Sequence, residues 1–192
     1  MLSEQLANAF TCAHAFHRDQ RRKGSDRPYI GHLMAVASLV LDADGDEDAA
    51  IAGLLHDALE DQGGSRAANE IERQFGREVL GVVRECSDWS SDGEKPTWRS
   101  RKLAFVNSVS AMSSRALLVA AADKLHNMRD LHEDYLALGE DLWERFEGGR
   151  DGTLWYYQAM AAALLDAGAP RRLVDPLQRA IDELGQLMET AE

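Results

Sequence analysis

The sequence predicts an all-α fold. Apolar residues recur at the spacing of amphipathic helices, whereas stretches that alternate polar and apolar residues are missing. β-branched residues are scarce, which also argues against strands. No internal repeat, low-complexity tract or long linker divides the 192 residues, so we expect a single domain over residues 1–192.

Capping and helix-breaking residues predict the helices of the first third of the chain. Ser3 can cap a first helix that runs to about Gln20, and Pro28 fits the first turn of a second helix. The polar turn at residues 42–48 leads into a third helix. We expect this third helix to continue without a break through the run GLLHDALED at residues 53–61.

Glycines and a second set of caps divide the remainder. Residues 63–65, Gly-Gly-Ser, end the third helix and cap the next one, which Gly76 separates from another. Residues 88–96 form a polar loop, and Thr97 can cap the helix that follows. A long helix is expected at about residues 115–131. The last breaks lie at residues 148–149, 168 and 170.

The composition argues against several classes of protein. A formal net charge of −12 speaks against a nucleic-acid polymer as the partner, because binding its backbone requires a basic surface. No uncharged apolar stretch reaches membrane-spanning length, and the N-terminus lacks the layout of a signal peptide. Cys12 and Cys86 are too few for a disulfide framework. We therefore expect a reduced, cytoplasmic protein that does not insert into membranes.

The charge is unevenly distributed. Residues 18–29 carry five basic side chains against two acidic ones, a local net charge of +3. A patch of this size on an acidic protein suits a small polyanion. A solvated, arginine-rich loop is the alternative interpretation.

Four ionisable residues crowd the run GLLHDALED. On a helix, His56 and Glu60 would lie one turn apart, as would Asp57 and Asp61. Three carboxylates packed so closely repel one another, and partial burial strengthens the repulsion. A bound divalent cation would relieve it, so the run is interpreted as half of a metal site with acid/base groups beside it.

Asp123 is a second candidate ligand. It follows six apolar residues, and an isolated buried carboxylate needs a partner. Either Lys124 or Arg129 pairs with it, or a metal does, and the sequence leaves both alternatives open. Asn127 shares its helical face at i+4.

His32 lies on an otherwise apolar helix, where a lone histidine is more often a satisfied core residue. As a ligand it would complete a set of two imidazoles and two carboxylates, which suits Mn²⁺, Fe²⁺ or Zn²⁺. Glu60 and Asp61 could then orient or deprotonate a water molecule. Four other histidines fit the site less well: His14, His17, His126 and His132.

These residues lie in three ordered motifs at residues 13–37, 52–64 and 121–131. The set resembles the HD-domain metal-dependent phosphohydrolases, and more closely the hydrolase domain of the Rel/Spo alarmone enzymes. The length resembles that of the stand-alone small alarmone hydrolases. The resemblance covers about residues 5–160, and we expect C-terminal helices at 151–191 to pack on that core.

The resemblance implies roles for individual residues. It implies that Mn²⁺ is bound by His32, His56, Asp57 and Asp123. It implies that Glu60 and Asp61 activate the attacking water. The nucleotide contacts that it implies are Arg22 and Lys23 near the phosphates, Asn127 at the ribose, and Tyr156 in the base pocket. The reaction would be hydrolysis of the 3′-diphosphate of a guanosine or adenosine alarmone, with release of pyrophosphate.

The chain departs from the family pattern at two places. Leu33 follows His32 where proline is usual, and the loop at 23–27 differs from the shorter family spacing. Two alternative functions therefore stay open: a phosphatase acting on NADPH or another nucleotide phosphomonoester, and a non-catalytic nucleotide sensor. The last helix could cover the core or a partner subunit in a homo-oligomer.

Overall fold

The computed structural model describes residues 2–89 and 94–190, which contain nine α-helices and two short 3-10 segments. Part of the predicted loop at 88–96, residues 90–93, lies outside the described residues. The helices are α1 (Glu4–His17), α2 (Ile30–Asp42), α3 (Glu47–Leu55), α4 (Ala58–Asp61), α5 (Gly64–Cys86), α6 (Trp98–Ser108), α7 (Ser114–Leu138), α8 (Gly149–Asp166) and α9 (Arg171–Thr190). No extended strand occurs within the described ranges, so the all-α prediction is confirmed.

Side-chain caps start the helices where the sequence predicts them. The Ser3 hydroxyl accepts a hydrogen bond from the amide of Gln5, and Thr97 accepts one from the amide of Ser100. Gly76 has φ 86° and ψ 174°, which breaks the helical path inside α5 at the predicted position.

The prediction of one helix through residues 53–61 was wrong. α3 ends at Leu55 and α4 begins only at Ala58. Between them Asp57 adopts φ −90° and ψ −3°, in the sparsely populated bridge region where active-site residues are often found. His56 and Glu60 therefore do not share one helical face, and the Asp57 side chain turns towards α2.

The long helix α7 organises the core. Its residues from Ala116 to Leu125 are all buried, and it packs against α2, α3, α5, α8 and α9. Burial of each large aliphatic side chain contributes about 1.5–3 kcal/mol. A charged residue in the middle of this helix is thereby held at a fixed position inside the bundle.

Helices α2 and α3 form the most closely packed pair. Gly53 allows this approach, because a Cβ atom at that position would lie 3.3 Å from the Cα atom of Ala37. The pair places the start of α2 beside the end of α3. The C-terminal helix α9 packs on α7 and α8, and its buried face includes Leu173, Leu177 and Leu184. The domain bounds themselves stay a prediction.

A hairpin connects α1 to α2, and we call residues 18–29 the basic hairpin. The amide of Arg22 donates to the carbonyl of Arg27 over 2.8 Å, and the amide of Tyr29 donates to the carbonyl of Gln20 over 3.0 Å. Gly24 at its tip has φ 70°, a conformation that favours glycine.

Within residues 2–89 and 94–190, no helix has both the length and the apolar character that a membrane crossing requires. The cytoplasmic location stays a prediction.

The turn between α2 and α3 depends on Gly45. A Cβ atom there would lie 2.5 Å from Val40 Cγ1 and 2.7 Å from Leu118 Cδ2. We expect Gly45→Ala to lower the free energy of unfolding by about 1–3 kcal/mol through overpacking, as measured by urea denaturation. Gly81→Ala is the control: nothing lies within 4 Å of its added Cβ, so this helical substitution should raise stability by about 0.5–1 kcal/mol. An equal effect of both substitutions would contradict the assignment.

Candidate active site

Four side chains from three parts of the bundle converge at one point. His32 comes from the first turn of α2, His56 and Asp57 from the break between α3 and α4, and Asp123 from the middle of α7. Donor atoms of the first three lie within 4.8 Å of one another. Asp123 Oδ1 lies 3.2 Å from His32 Nε2 and 3.5 Å from His56 Nε2. The sequence thus named four residues that the fold brings together.

Neighbouring groups fix the orientation of both imidazoles. His56 Nδ1 lies 2.8 Å from the carbonyl oxygen of Gly53, which can only accept, so Nδ1 carries the proton and donates it. His32 Nδ1 lies 3.0 Å from His126 Nδ1. If His32 donates in that contact, both Nε2 atoms present lone pairs to the centre. Hydrogen bonds to the remote nitrogen are typical of metal-binding histidines.

The two carboxylates are held from outside the centre. The Tyr29 hydroxyl donates to Asp57 Oδ2 over 2.6 Å. Lys124 pairs with Asp123 Oδ2, and the Asn127 amide donates to Asp123 Oδ1. The ion pair with Lys124, one of the alternatives for Asp123, therefore forms, but it engages the oxygen that does not face the histidines.

The donor set fits a divalent cation. The Nε2 atoms of His32 and His56 are buried and make no hydrogen bond, although a carboxylate oxygen lies within 3.5 Å of each. Unpaired buried polar atoms are rare, and a cation between them would satisfy both. Burial lowers the pKa of His32, which keeps its imidazole in the neutral, metal-binding form. Burial also opposes a charge on His56, but Asp57 and Asp123 outweigh burial and raise the pKa of His56, so the negative potential here favours either a proton or a metal cation at Nε2.

Glu60 and Asp61 diverge from each other. Glu60 Oε1 accepts a 2.7 Å hydrogen bond from the amide of Asp88, whereas Asp61 accepts one of 2.7 Å from the Gln20 side chain. Burial and the charges of Asp88 and Asp57 raise the pKa of Glu60 to about 7. Glu60 can therefore exchange a proton near neutral pH.

Sequence reasoning missed Asp88, whose amide contacts Glu60 and whose carboxylate binds two cations. The buried Asp88 carboxylate accepts from Arg101 Nη1 at 2.8 and 2.7 Å and from Lys102 Nζ at 2.7 Å. Burial raises the pKa of Asp88, but the two cations outweigh burial and lower it overall. Asp88 and these cations stand 13 and 14 positions apart, so no helical spacing indicates the contact.

A cavity of about 170 Å³ lies beside the metal candidates. Arg22 lines it and donates to Asn127 Oδ1 over 2.7 Å, and Asn127 in turn contacts Asp123, so the cavity adjoins the centre. The Lys23 ammonium lies 5.5 Å from the Phe146 ring centroid. The other residues that line this cavity are Arg27, Tyr29, Asp130, Leu131, Asp134 and Tyr157.

Tyr156, the aromatic residue named from the sequence, does not line this cavity. It is 5% exposed, and Lys102 and Lys124 lie 4.8 and 5.7 Å from its ring centroid. Tyr157 lines the cavity instead. Consecutive residues of a helix lie about 100° apart around its axis, so Tyr156 and Tyr157 face different sides of α8.

Two carboxylates of α7 neutralise arginines of the basic hairpin, which the sequence did not reveal. Arg22 pairs with Asp130 at 2.8 Å, and Arg27 pairs with Asp134 at 2.9 Å. Both acids belong to α7, more than 100 residues away. The net +3 of the hairpin is therefore not all available to a ligand.

A larger cavity of about 810 Å³ lies between α1 and α5 and is lined by Cys12, Arg66 and Glu70, among others. None of the candidate ligands lines it. The smaller cavity beside Asn127 is therefore the better candidate for a substrate site.

Loss of one imidazole should weaken the binding of a divalent cation at this centre. We expect His56→Ala to weaken Mn²⁺ binding by at least about 100-fold in a calorimetric titration, because one ligand is lost and two carboxylates remain uncompensated. His14→Ala is the control, since His14 is an exposed histidine on α1. Equal Mn²⁺ affinity of His56→Ala and the unaltered protein, with the helical circular dichroism unchanged, would contradict the assignment.

Comparison with known proteins agrees with this geometry. The model of the HD domain family matches residues 9–154. A probable guanosine-3′,5′-bis(diphosphate) 3′-pyrophosphohydrolase of Synechocystis sp. is 39% identical over 128 residues, which cover 66% of this chain and 16% of that protein. The guanosine-3′,5′-bis(diphosphate) 3′-pyrophosphohydrolase MESH1 of Homo sapiens is 37% identical over 131 residues, which cover 67% of this chain and 70% of that protein.

The Drosophila melanogaster MESH1 protein is 39% identical, but the chain spans only 63% of its length. Among solved structures, a metazoan ortholog of SpoT that hydrolyses ppGpp superposes with a TM-score of 0.78 and 28% identity, covering 96% of this chain and 98% of that one. The resemblance found in the sequence is confirmed, and the chain belongs to the HD-domain family.

Proposed function

We propose that this protein is a metal-dependent hydrolase that removes the 3′-diphosphate from guanosine 3′,5′-bis(diphosphate), ppGpp, and releases pyrophosphate. The observation that carries the proposal is the pair of buried Nε2 atoms facing two carboxylates, with a cavity adjoining them through Asn127. The similarity to proteins named for this reaction supports the substrate.

We propose Mn²⁺ as the metal, because two imidazole nitrogens and two carboxylate oxygens form a mixed set that suits it. The residues that would hold it are His32, His56, Asp57 and Asp123. A divalent cation supplies Lewis-acid polarisation of a phosphoryl oxygen and makes water more acidic.

In the proposed reaction, an oxygen of water forms a bond to the phosphorus next to the ribose. The bond from that phosphorus to the ribose 3′-oxygen breaks, and the 3′-oxygen takes up the proton that the water gave up. Glu60 accepts the proton from water, which its pKa of about 7 allows near neutral pH. Asp61, held by Gln20, serves to orient the water.

The cavity would hold the nucleoside. We assign Lys23 and Arg22 to the phosphates and Asn127 to the ribose, since Arg22 and Asn127 lie next to the metal candidates and Lys23 lines the same cavity. Tyr157 takes the place that the sequence assigned to Tyr156, because Tyr157 lines the cavity. The association of copies into a homo-oligomer stays a prediction.

Replacement of Glu60 separates chemistry from metal binding. Glu60→Gln keeps an oxygen for the Asp88 amide but cannot take a proton. We expect kcat to fall by at least about 100-fold while Mn²⁺ affinity is retained. Glu78→Gln, at an exposed glutamate of α5, should change neither quantity. Full activity of Glu60→Gln would contradict the proposed role.

The substrate is tested by a panel. Purified protein with Mn²⁺ is offered ppGpp, its adenine counterpart ppApp, and NADPH, and the release of pyrophosphate and phosphate is measured. We expect pyrophosphate from ppGpp, loss of this activity with a chelator, and its recovery on adding Mn²⁺. Phosphate from NADPH alone would overturn the proposal in favour of a phosphatase, and no product from any of the three would overturn it as well.

A further inference from the structure

One face of α7 runs from the metal centre into the cavity. Asp123, Asn127, Asp130 and Asp134 follow one another at intervals of four, three and four residues, so they share that face. With 1.5 Å of rise per residue, the face extends about 16 Å from first to last. A nucleotide whose reacting phosphate lies at Asp123 and whose nucleoside enters the cavity would lie beside Asp130 and Asp134.

The far part of the cavity suits a flat ring. Phe146, Tyr157 and Leu131 supply apolar and aromatic walls. Arg27 at this end already pairs with Asp134, which makes the far part a poor site for a second diphosphate.

Asp130 keeps unused acceptor capacity at the cavity wall. Its Oδ2 accepts from Arg22 at 2.8 Å, with His126 Nδ1 a further 4.0 Å contact. Its Oδ1 has a single long contact of 3.4 Å, from Arg27. A carboxylate offers about four lone-pair sites, so Asp130 can accept further hydrogen bonds from a ligand. Its side chain is 22% exposed, so a ligand in the cavity can contact it.

Asp134 has a different function in the wall. It binds Arg27 at 2.9 Å and lies 3.6 Å from Arg145, so it ties the basic hairpin to the 3-10 segment at Gly139–Arg145. Arg145 lies across Gly24, where a Cβ atom would come within 2.4 Å of its side chain. Asp134 thus shapes the cavity, and Asp130 is the carboxylate left to contact the base.

We propose that Asp130 selects guanine over adenine, an inference that rests on the proposed function. Guanine carries two adjacent donors, N1–H and the N2 amino group, which match the two oxygens of a carboxylate. Adenine places an acceptor, N1, beside its N6 amino donor, so one lone pair would face the carboxylate. An amide instead offers one donor and one acceptor, the pattern with which asparagine pairs with adenine.

The test compares kcat/KM for ppGpp and ppApp in the unaltered protein, Asp130→Asn and Asp134→Asn. We expect the unaltered protein to favour ppGpp by at least about tenfold. Asp130→Asn should remove most of this preference by slowing ppGpp while sparing or improving ppApp. Asp134→Asn, the matched change one turn away, should alter both substrates by the same factor.

Two outcomes would overturn the proposal: an equal loss on both substrates in Asp130→Asn, or a changed preference in Asp134→Asn alone. Equilibrium binding of GDP and ADP, which need no hydrolysis, separates this inference from the proposed function. Tighter binding of GDP that Asp130→Asn abolishes would support base selection even if no alarmone is hydrolysed. Equal hydrolysis of ppGpp and ppApp, with equal binding of GDP and ADP, would overturn base selection and leave the proposed function standing.

Discussion

Two imidazoles and two carboxylates face one another inside the helix bundle, an arrangement that a divalent cation would stabilise. Buried carboxylates need compensating charge, and buried nitrogens need a partner. The surrounding structure serves both needs. The Gly53 carbonyl and His126 contact the Nδ1 atoms of the two histidines and orient the rings. Tyr29 and Lys124 bind the two carboxylates. The break between α3 and α4 belongs to the same arrangement, since it brings His56 and Asp57 to the point where α2 and α7 meet.

Helix α7 links this centre to the cavity. Because its first half is buried on all sides, it positions Asp123 rigidly, and its second half emerges to form a cavity wall. The basic hairpin lies against that wall through ion pairs with Asp130 and Asp134. An electrostatically balanced wall can both donate and accept hydrogen bonds, which suits the edge of a base. In the proposed function, the phosphates bind at the end of the cavity nearest the metal candidates.

The four residues that meet at this centre could be named from the sequence because their signals are local. Asp123 follows a run of apolar residues and His32 stands on an apolar helix, and buried polar groups of this kind need a partner. The contacts that were missed are set by tertiary packing. Arg22 pairs with Asp130, which is 108 positions away in the sequence, and no helical or strand periodicity relates the two. The sequence gives no signal for the helix break at Asp57, and the contacts of that side chain, among them the hydrogen bond from Tyr29, are equally non-local.

The most direct test of the central claim is anomalous diffraction at the manganese edge from crystals grown with Mn²⁺. The structure predicts a single strong peak about 2 Å from the Nε2 atoms of both His32 and His56 and from carboxylate oxygens of Asp57 and Asp123. A peak elsewhere, or none at this point in fully loaded crystals, would contradict the claim that these four side chains form a metal centre.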